Sequence, residues 1–231
     1  MNKTLYLIPA GISQDYKLTA YPAELIGRLR VVFAEDIRTA RRYFRSTGYE
    51  GSLDQQHWVT MQSDTPLDEI MMALNKITPE NPGGVISEAG IPGVADPGAE
   101  VAAMAHELGI KVVPLPGASS IFMALAASGL NGQEFTFHGY LPIPEKEREK
   151  QLRMIENLAR QSNYTQIFME TPYRNMQLLK SILKVCRDDT RLCIAADITG
   201  QKELILTQRI SAWKSSRDNF HKLPAIFLLN T

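Results

Sequence analysis

Through the first half of the chain, short β-type runs alternate with longer helix-type runs, and this alternation is what most limits the possible folds. Residues 4–9 (TLYLIP) read as a buried strand, 23–29 as a helix, 31–34 as a strand and 36–46 as a helix. Thr65 and Pro66 read as an N-cap followed by proline at the first helical position, opening a helix that runs to about Ile77. Residues 84–87 read as a short buried strand and 99–108 as a helix closed by Gly109. A strand at 111–115 and an apolar helix at 119–128, ending at Gly129, follow. Such repetition predicts a parallel sheet with helices on its faces.

The second half is less regular. Strands at 135–141 and 165–169 flank a charged helix at 144–161, and a helix at 173–185 precedes strands at 192–197, 203–208 and 225–229. The close succession of those last three predicts antiparallel pairing and a mixed sheet. Two α/β domains are expected, 1–116 and 117–231, with the boundary near Gly117; residues 48–63 carry no assignment. The chain has 231 residues, 44% hydrophobic and 22% charged, which is enough to bury a core.

Lysines and arginines number 25, as do aspartates and glutamates. That balance excludes a histone-like or acidic-tail mode of action but leaves room for a local basic patch. The longest strictly apolar run, 121–127, is far too short for a membrane span, and residues 5–9 are too few for a signal-peptide core. A cytoplasmic protein without membrane contact is expected. Cys186 and Cys193 lack metal-knuckle spacing and read as reduced interior residues. His57, His106, His138 and His221 are scattered, so no metal site is expected.

No P-loop is present, and no G-x-G-x-x-G follows the first strand. Five other segments stand out. Residues 9–13 follow the first strand, where open α/β sheets bind ligands, and read equally as a plain βα turn. Residues 88–98 hold three glycines and two prolines, a stiff loop suited to gripping a cofactor through main-chain groups, with Glu88 at the strand's end. In the segment 116–120, Ser119 or Ser120 is an N-cap or a contact for a polar ligand. Arg38, Arg41, Arg42 and Arg45 fall at i, i+3, i+4 and i+7, one stripe of a helix. Residues 28–45 hold six arginines against two acids, so the stripe is either a solvated, internally paired face or a phosphate-binding one. Last, Glu170, Tyr173 and Arg174 close a strand and start a helix, as a capped helix start or as a cleft surface. The sign-alternating run 145–153 reads as an exposed helix face.

Together these segments resemble the tetrapyrrole (corrin/porphyrin) methylase superfamily, the class III S-adenosylmethionine-dependent methyltransferases. The subgroup most resembled is the bacterial small-subunit ribosomal RNA (cytidine 2′-O) methyltransferases. The resemblance is carried, in order, by Leu5-Tyr6-Leu7-Ile8-Pro9, Ala34-Glu35-Asp36-Ile37-Arg38, residues 87–98, Pro116-Gly117-Ala118-Ser119, Ala127-Ser128-Gly129-Leu130, Phe137-His138-Gly139-Tyr140-Leu141-Pro142 and Glu170-Thr171-Pro172-Tyr173-Arg174. The family's Pro-Thr-Pro-Ile-Gly-Asn-Leu is here Pro9-Ala10-Gly11-Ile12-Ser13-Gln14-Asp15, and Glu88 and Ile91 replace its Asp and Thr. The chain ends near the end of the methylase core, without the C-terminal extension of many ribosomal RNA members.

The resemblance implies a cofactor cleft between two α/β domains, a homodimer, and S-adenosylmethionine as methyl donor. Carried residue by residue, it puts cofactor contacts at Ile12, Glu88, Ile91, Ser119, Ser120 and Met169. Glu170 and Glu88 are the candidate bases toward a ribose hydroxyl, and Asp36 is an alternative anchor for the first domain's arginines. Arg38, Arg41, Arg42 and Arg45 are the candidate contacts to RNA of a ribosomal subunit. Three functions are open: methylation of ribosomal RNA at a ribose 2′-oxygen, C-methylation of a tetrapyrrole or corrinoid, and a dimeric cofactor-binding protein without transferase activity.

Overall fold

The computed structural model describes residues 2–13, 23–62 and 64–231, so Gln14 and Asp15 of the first loop lie outside the described residues. The chain divides into two compact units, Met1–Ser119 and Ser120–Thr231.

The first unit contains strands β1 (Thr4–Ile8), β2 (Val31–Ala34), β3 (His57–Thr60), β4 (Gly83–Ile86) and β5 (Lys111–Pro114). Its helices are α1 (Ala23–Arg28), α2 (Ile37–Ser46), α3 (Leu67–Leu74) and α4 (Gly98–Glu107). The strands lie in the order β3-β2-β4-β1-β5, and every neighbouring pair is parallel. A parallel sheet has to be covered on both faces, and strand residues alternate between them. Val32, Ala34, Ile8 and Ile86 pack with Ile26 of α1 and with Ala40 and Phe44 of α2. Val31, Phe33, Leu5 and Val85 pack with Ile70 and Leu74 of α3 and with Val101 and Ala105 of α4.

The unassigned stretch 48–63 contains the edge strand β3. Only Val59 of its four residues is buried, so it carries little of the apolar pattern that marks the central strands. The start of α3 also departs from expectation. Pro66, not Thr65, occupies the N-cap, without a side-chain cap bond, and the helix ends at Leu74. The Thr65 hydroxyl instead donates to the Thr60 carbonyl (2.9 Å) and accepts from the Gln62 amide (2.8 Å), fastening the turn that leaves β3.

The second unit contains α5 (Ser120–Ser128), β6 (Phe135–Tyr140), α6 (Glu145–Ser162), β7 (Thr165–Glu170), α7 (Asn175–Val185), β8 (Arg191–Ala196), β9 (Leu204–Arg209), α8 (Ile210–Trp213) and β10 (Ala225–Asn230). The sheet order is β6-β7-β10-β8-β9. The pair β6–β7 is parallel and the other three are antiparallel, so the sheet is mixed. Leu152 and Ile155 of α6, Leu178 and Ile182 of α7 and Trp213 of α8 cluster with Phe168, Ile194 and Phe227 of the strands. Among the described residues no helix is long and apolar enough to cross a membrane. Both cysteines are buried free thiols, and burial pushes the Cys186 thiol up to about 12.

The charged helix α6 is less exposed than its sign alternation suggests, because α6 packs against α7. Arg148 and Glu149 are buried. The Arg148 guanidinium donates to the Ser181 hydroxyl (3.1 Å) and the Ile143 carbonyl (2.6 Å), and the Lys184 ammonium donates to Glu149 (2.5 Å). Replacing Arg148 by alanine removes those bonds and the packing of its stem, an expected loss of about 1–3 kcal/mol. Urea unfolding checks this against exposed Lys150→Ala, which is expected to stay within about 0.5 kcal/mol of the parent.

Candidate functional site

In the first unit β1 lies between β4 and β5. The helices that follow β1 and β2 cover one face of the sheet, and those that follow β3 and β4 cover the other. The chain therefore leaves the carboxyl ends of adjacent β1 and β4 toward opposite faces. Open α/β sheets take their ligands in the crevice at such a switch point.

The loops at these strand ends are tied together. The Ala10 amide donates to the Gly90 carbonyl (2.9 Å), and the Gly90 amide donates to the Ala10 carbonyl (3.2 Å). Gly90 has φ +74°; a Cβ there would lie 3.7 Å from the Ala118 carbonyl oxygen and 3.8 Å from Ile12 Cγ2. The first, second and third sequence loops thus meet around one glycine. From α2, the Tyr43 hydroxyl donates to the Pro9 carbonyl (2.9 Å) and steadies the first loop. Within the second loop, Asp96 Oδ1 accepts from the amides of Gly93 (2.6 Å) and Gly98 (3.0 Å). A Cβ on Gly98 would stand only 2.9 Å from the Gly93 nitrogen, so this close approach requires glycine.

Three carboxylates gather at the same edge. Burial, followed by the charges of Glu88 and Asp96, pushes the Glu35 carboxyl above the ordinary glutamate range, while the Glu88 amide donating to it pulls the other way. In the sequence Glu35 stands only as one of the two acids available to pair with the arginine stripe. Its place follows from the pairing of Ala34 with Ile86 in parallel β2 and β4, which brings the residues after both strands side by side. No local pattern discloses that strand order. Tyr43 was missed as well, since its reach to Pro9 spans two elements.

Ile12 and Ile91 are half-buried in these loops and Glu88 is exposed. Ser119 closes the first unit, Ser120 opens α5 of the second, and both are half-buried. Met169 and Glu170 end β7 in the second unit. Glu170 is buried, and its Oε1 accepts from the Thr171 amide (2.7 Å) and from both Nε (3.0 Å) and Nη2 (2.6 Å) of Arg174. Its Oε2 is buried without a protein hydrogen bond. The pairing also pushes the Arg174 guanidinium further up. Glu170 therefore acts here as a clasp on the turn that follows β7.

The arginine stripe divides in two. Arg41 pairs with Asp54 (2.6 Å), donates to the Leu53 carbonyl (3.0 Å) and lies over the Trp58 ring. Arg45 donates to the carbonyls of Tyr49 (2.9 Å) and Gly51 (2.7 Å) and lies over the Tyr49 ring. Both fasten the segment between α2 and β3. Arg38 and Arg42 are exposed and make no ion pair within 4.0 Å among the described residues. Among the described residues Asp36 makes no ion pair with an arginine within 4.0 Å, although the charges of Arg38 and Arg42 act on it. Its Oδ1 accepts from the Thr39 amide (2.6 Å) and caps α2, and this bond holds its carboxyl below the usual range.

Compared with known proteins, residues 4–212 match the family described as Tetrapyrrole (Corrin/Porphyrin) Methylases. The chain belongs to that family. It is an S-adenosylmethionine-dependent methyltransferase of the tetrapyrrole methylase type. One relative, "Ribosomal RNA small subunit methyltransferase I" of Vibrio cholerae, is 27% identical over 98% of this chain and 76% of its own length. Two solved structures share the fold. The methyltransferase CobJ has TM-score 0.63 and 16% identity over 99% of this chain and 94% of that one. Uroporphyrin-III C-methyl transferase from Thermus thermophilus, complexed with S-adenosyl homocysteine, has TM-score 0.52 and 20% identity over 98% and 97%.

Two substitutions test this edge of the methylase fold. Gly98→Ala forces the Gly93 backbone aside and loosens the Asp96 bonds, with an expected strain of about 1–3 kcal/mol. Calorimetry with S-adenosylhomocysteine is expected to give at least fivefold weaker binding. Glu35→Gln removes a carboxylate whose folded-state pKa is raised. The native state then holds its proton more tightly than the unfolded chain, so the carboxylate costs stability as pH rises above about 4.5. Glu35→Gln is expected to raise the melting temperature at pH 7 to 8, by a margin that shrinks toward pH 4.5. Thermal melts across that range check it.

Proposed function

We propose that this methyltransferase moves the methyl group of S-adenosylmethionine to a ribose 2′-hydroxyl of small-subunit ribosomal RNA. One observation carries the proposal: the curated relatives matching nearly all of this chain share the name Ribosomal RNA small subunit methyltransferase I. Arg38 and Arg42, exposed on one helix face and without an ion pair within 4.0 Å among the described residues, add support, because such guanidiniums suit a polyphosphate acceptor.

The tied loops of the first unit suit the cofactor. They offer main-chain edges, a glycine with no side chain at their meeting point, and the half-buried apolar side chains of Ile12 and Ile91. When bound, adenosylmethionine supplies a methyl group already activated on a sulfonium. Within the first unit, Ile12, Glu88, Ile91 and Ser119 would hold it. The protein's task is then to align the acceptor oxygen in line with the methyl group and exclude water. Glu88, as the exposed carboxylate of the two candidates, would take the proton of the acceptor hydroxyl. Glu170 keeps Arg174 and the turn after β7 in place. A cytoplasmic homodimer belongs to the same proposal, and light scattering of the purified protein tests the assembly.

The likeness to tetrapyrrole methylase structures favours a second reading, C-methylation of a porphyrinogen. Transfer of labelled methyl into isolated small ribosomal subunits, set beside transfer into a porphyrinogen, decides between them, and no transfer to either leaves a cofactor-binding protein. RNA affinity is expected to fall with salt by about 0.7 log units per log unit of salt for each phosphate contact on a single strand. Arg38→Ala with Arg42→Ala is expected to flatten that slope by roughly one to two units and leave cofactor affinity unchanged. An unchanged slope in the double variant sets these arginines outside the RNA contact.

A further inference from the structure

The second unit carries an aromatic cluster with no role in the chemistry above. Tyr173 is 71% exposed, the most open large hydrophobic side chain among the described residues. Its position is nevertheless fixed. It sits in the middle of a single 3-10 turn, Pro172–Arg174, that begins with proline. Arg174 next to it is gripped by buried Glu170, and the Arg174 amide donates to the Thr171 carbonyl (2.9 Å). From the loop before β10, the Lys222 amide donates to the Pro172 carbonyl (3.0 Å). Lys222 holds φ +66°, a left-handed conformation that is costly for a lysine and persists only where the surroundings enforce it. That backbone sets the Lys222 ammonium 5.8 Å from the centre of the Tyr173 ring. The His221 ring stands edge-on to the same tyrosine at 6.4 Å and 80°. His221 and Lys222 are themselves exposed.

A large ring that stays in water contributes little to folding through burial, yet a proline, an ion pair to a buried carboxylate and a strained lysine all hold this one in place. Ordering an aromatic surface in advance lowers the cost of binding a flat partner. The exposed cation beside it, Lys222, sets the charge such a partner must carry, since Arg174 is already paired with Glu170.

We propose that Tyr173, with His221 and Lys222, forms a stacking platform for one unpaired nucleobase of the RNA acceptor, Lys222 meeting a flanking phosphate. The platform presupposes the RNA acceptor proposed above and specifies which part of it the second unit grips. Unpaired bases offer their faces to aromatic side chains whereas bases inside a duplex do not, so the partner is a loop or single-stranded stretch. Its sequence preference is expected to be weak, because every base has a stackable face.

The test measures methyl transfer to small ribosomal subunits and S-adenosylhomocysteine binding for the parent, Tyr173→Ala, Tyr173→Phe and Lys222→Gln. Loss of one base–aromatic stack corresponds to roughly 5- to 150-fold weaker binding. Tyr173→Ala is expected to raise KM for the RNA by that factor, with the melting temperature and cofactor affinity of the parent. Tyr173→Phe keeps the ring and is expected to keep the parent KM. Lys222→Gln is expected to flatten the salt slope by about 0.7. A parent-like RNA KM in Tyr173→Ala overturns the platform. So does an equal loss in Tyr173→Phe, which would assign the effect to the hydroxyl, or a loss of cofactor affinity in Tyr173→Ala. If the parent itself neither binds nor methylates RNA, the RNA acceptor falls and the platform with it, an outcome distinct from a normal parent with a normal Tyr173→Ala.

Discussion

Two backbone hydrogen bonds between Ala10 and Gly90 hold together the loops at the carboxyl edge of the first unit's sheet. The sheet alone aligns β1 and β4 only as far as Ile8 and Ile86, after which the chain departs toward opposite faces. Without the bridge, the two loops would splay at the point where the crevice opens. Each bond is worth about 0.5–1.5 kcal/mol net, small beside the cores that clamp the sheet. Its importance is positional: the bridge is made at Gly90, where a Cβ would lie 3.7 Å from the Ala118 carbonyl oxygen and 3.8 Å from Ile12 Cγ2. Tyr43 supports it from α2 and Asp96 from within the second loop.

Charged side chains in this protein fall into two groups with different work. Arg41, Arg45, Asp36, Asp96, Glu149 and Glu170 hold loops, caps and helix contacts inside the units. Arg38, Arg42, Glu88 and Lys222 stay exposed at strand ends, on α2 or beside Tyr173. An equal count of acids and bases conceals this division. The exposed group is where the proposed chemistry lies, and its members stand on elements that the other group has made rigid.

Much of the fold was legible because core positions obey local periods. The strand at β2 and the helix at α2 follow from four consecutive buried residues and a capping aspartate. Gly109 and Gly129 end their helices with positive φ, as their positions suggest. What the sequence concealed is non-local. Edge strand β3 buries too little to show a pattern, and Arg148 looks solvent-facing until α7 is placed against it. The arginine stripe is real as a helical spacing, but Asp54 and the carbonyls that engage half of it lie in the stretch that resisted assignment. The loops around 10, 90 and 118 were visible singly as Gly- and Pro-rich turns. Their meeting depends on the strand order β4-β1-β5, which no single segment encodes.

The central claim is that these three loops together form the adenosylmethionine site. Amide hydrogen exchange of the purified protein, with and without S-adenosylhomocysteine, addresses it segment by segment. The account predicts that the ligand slows exchange in residues 9–13, 87–98 and 116–120 as one set. Protection confined to another part of the sheet, or to one of the three segments with the other two unchanged, would contradict it.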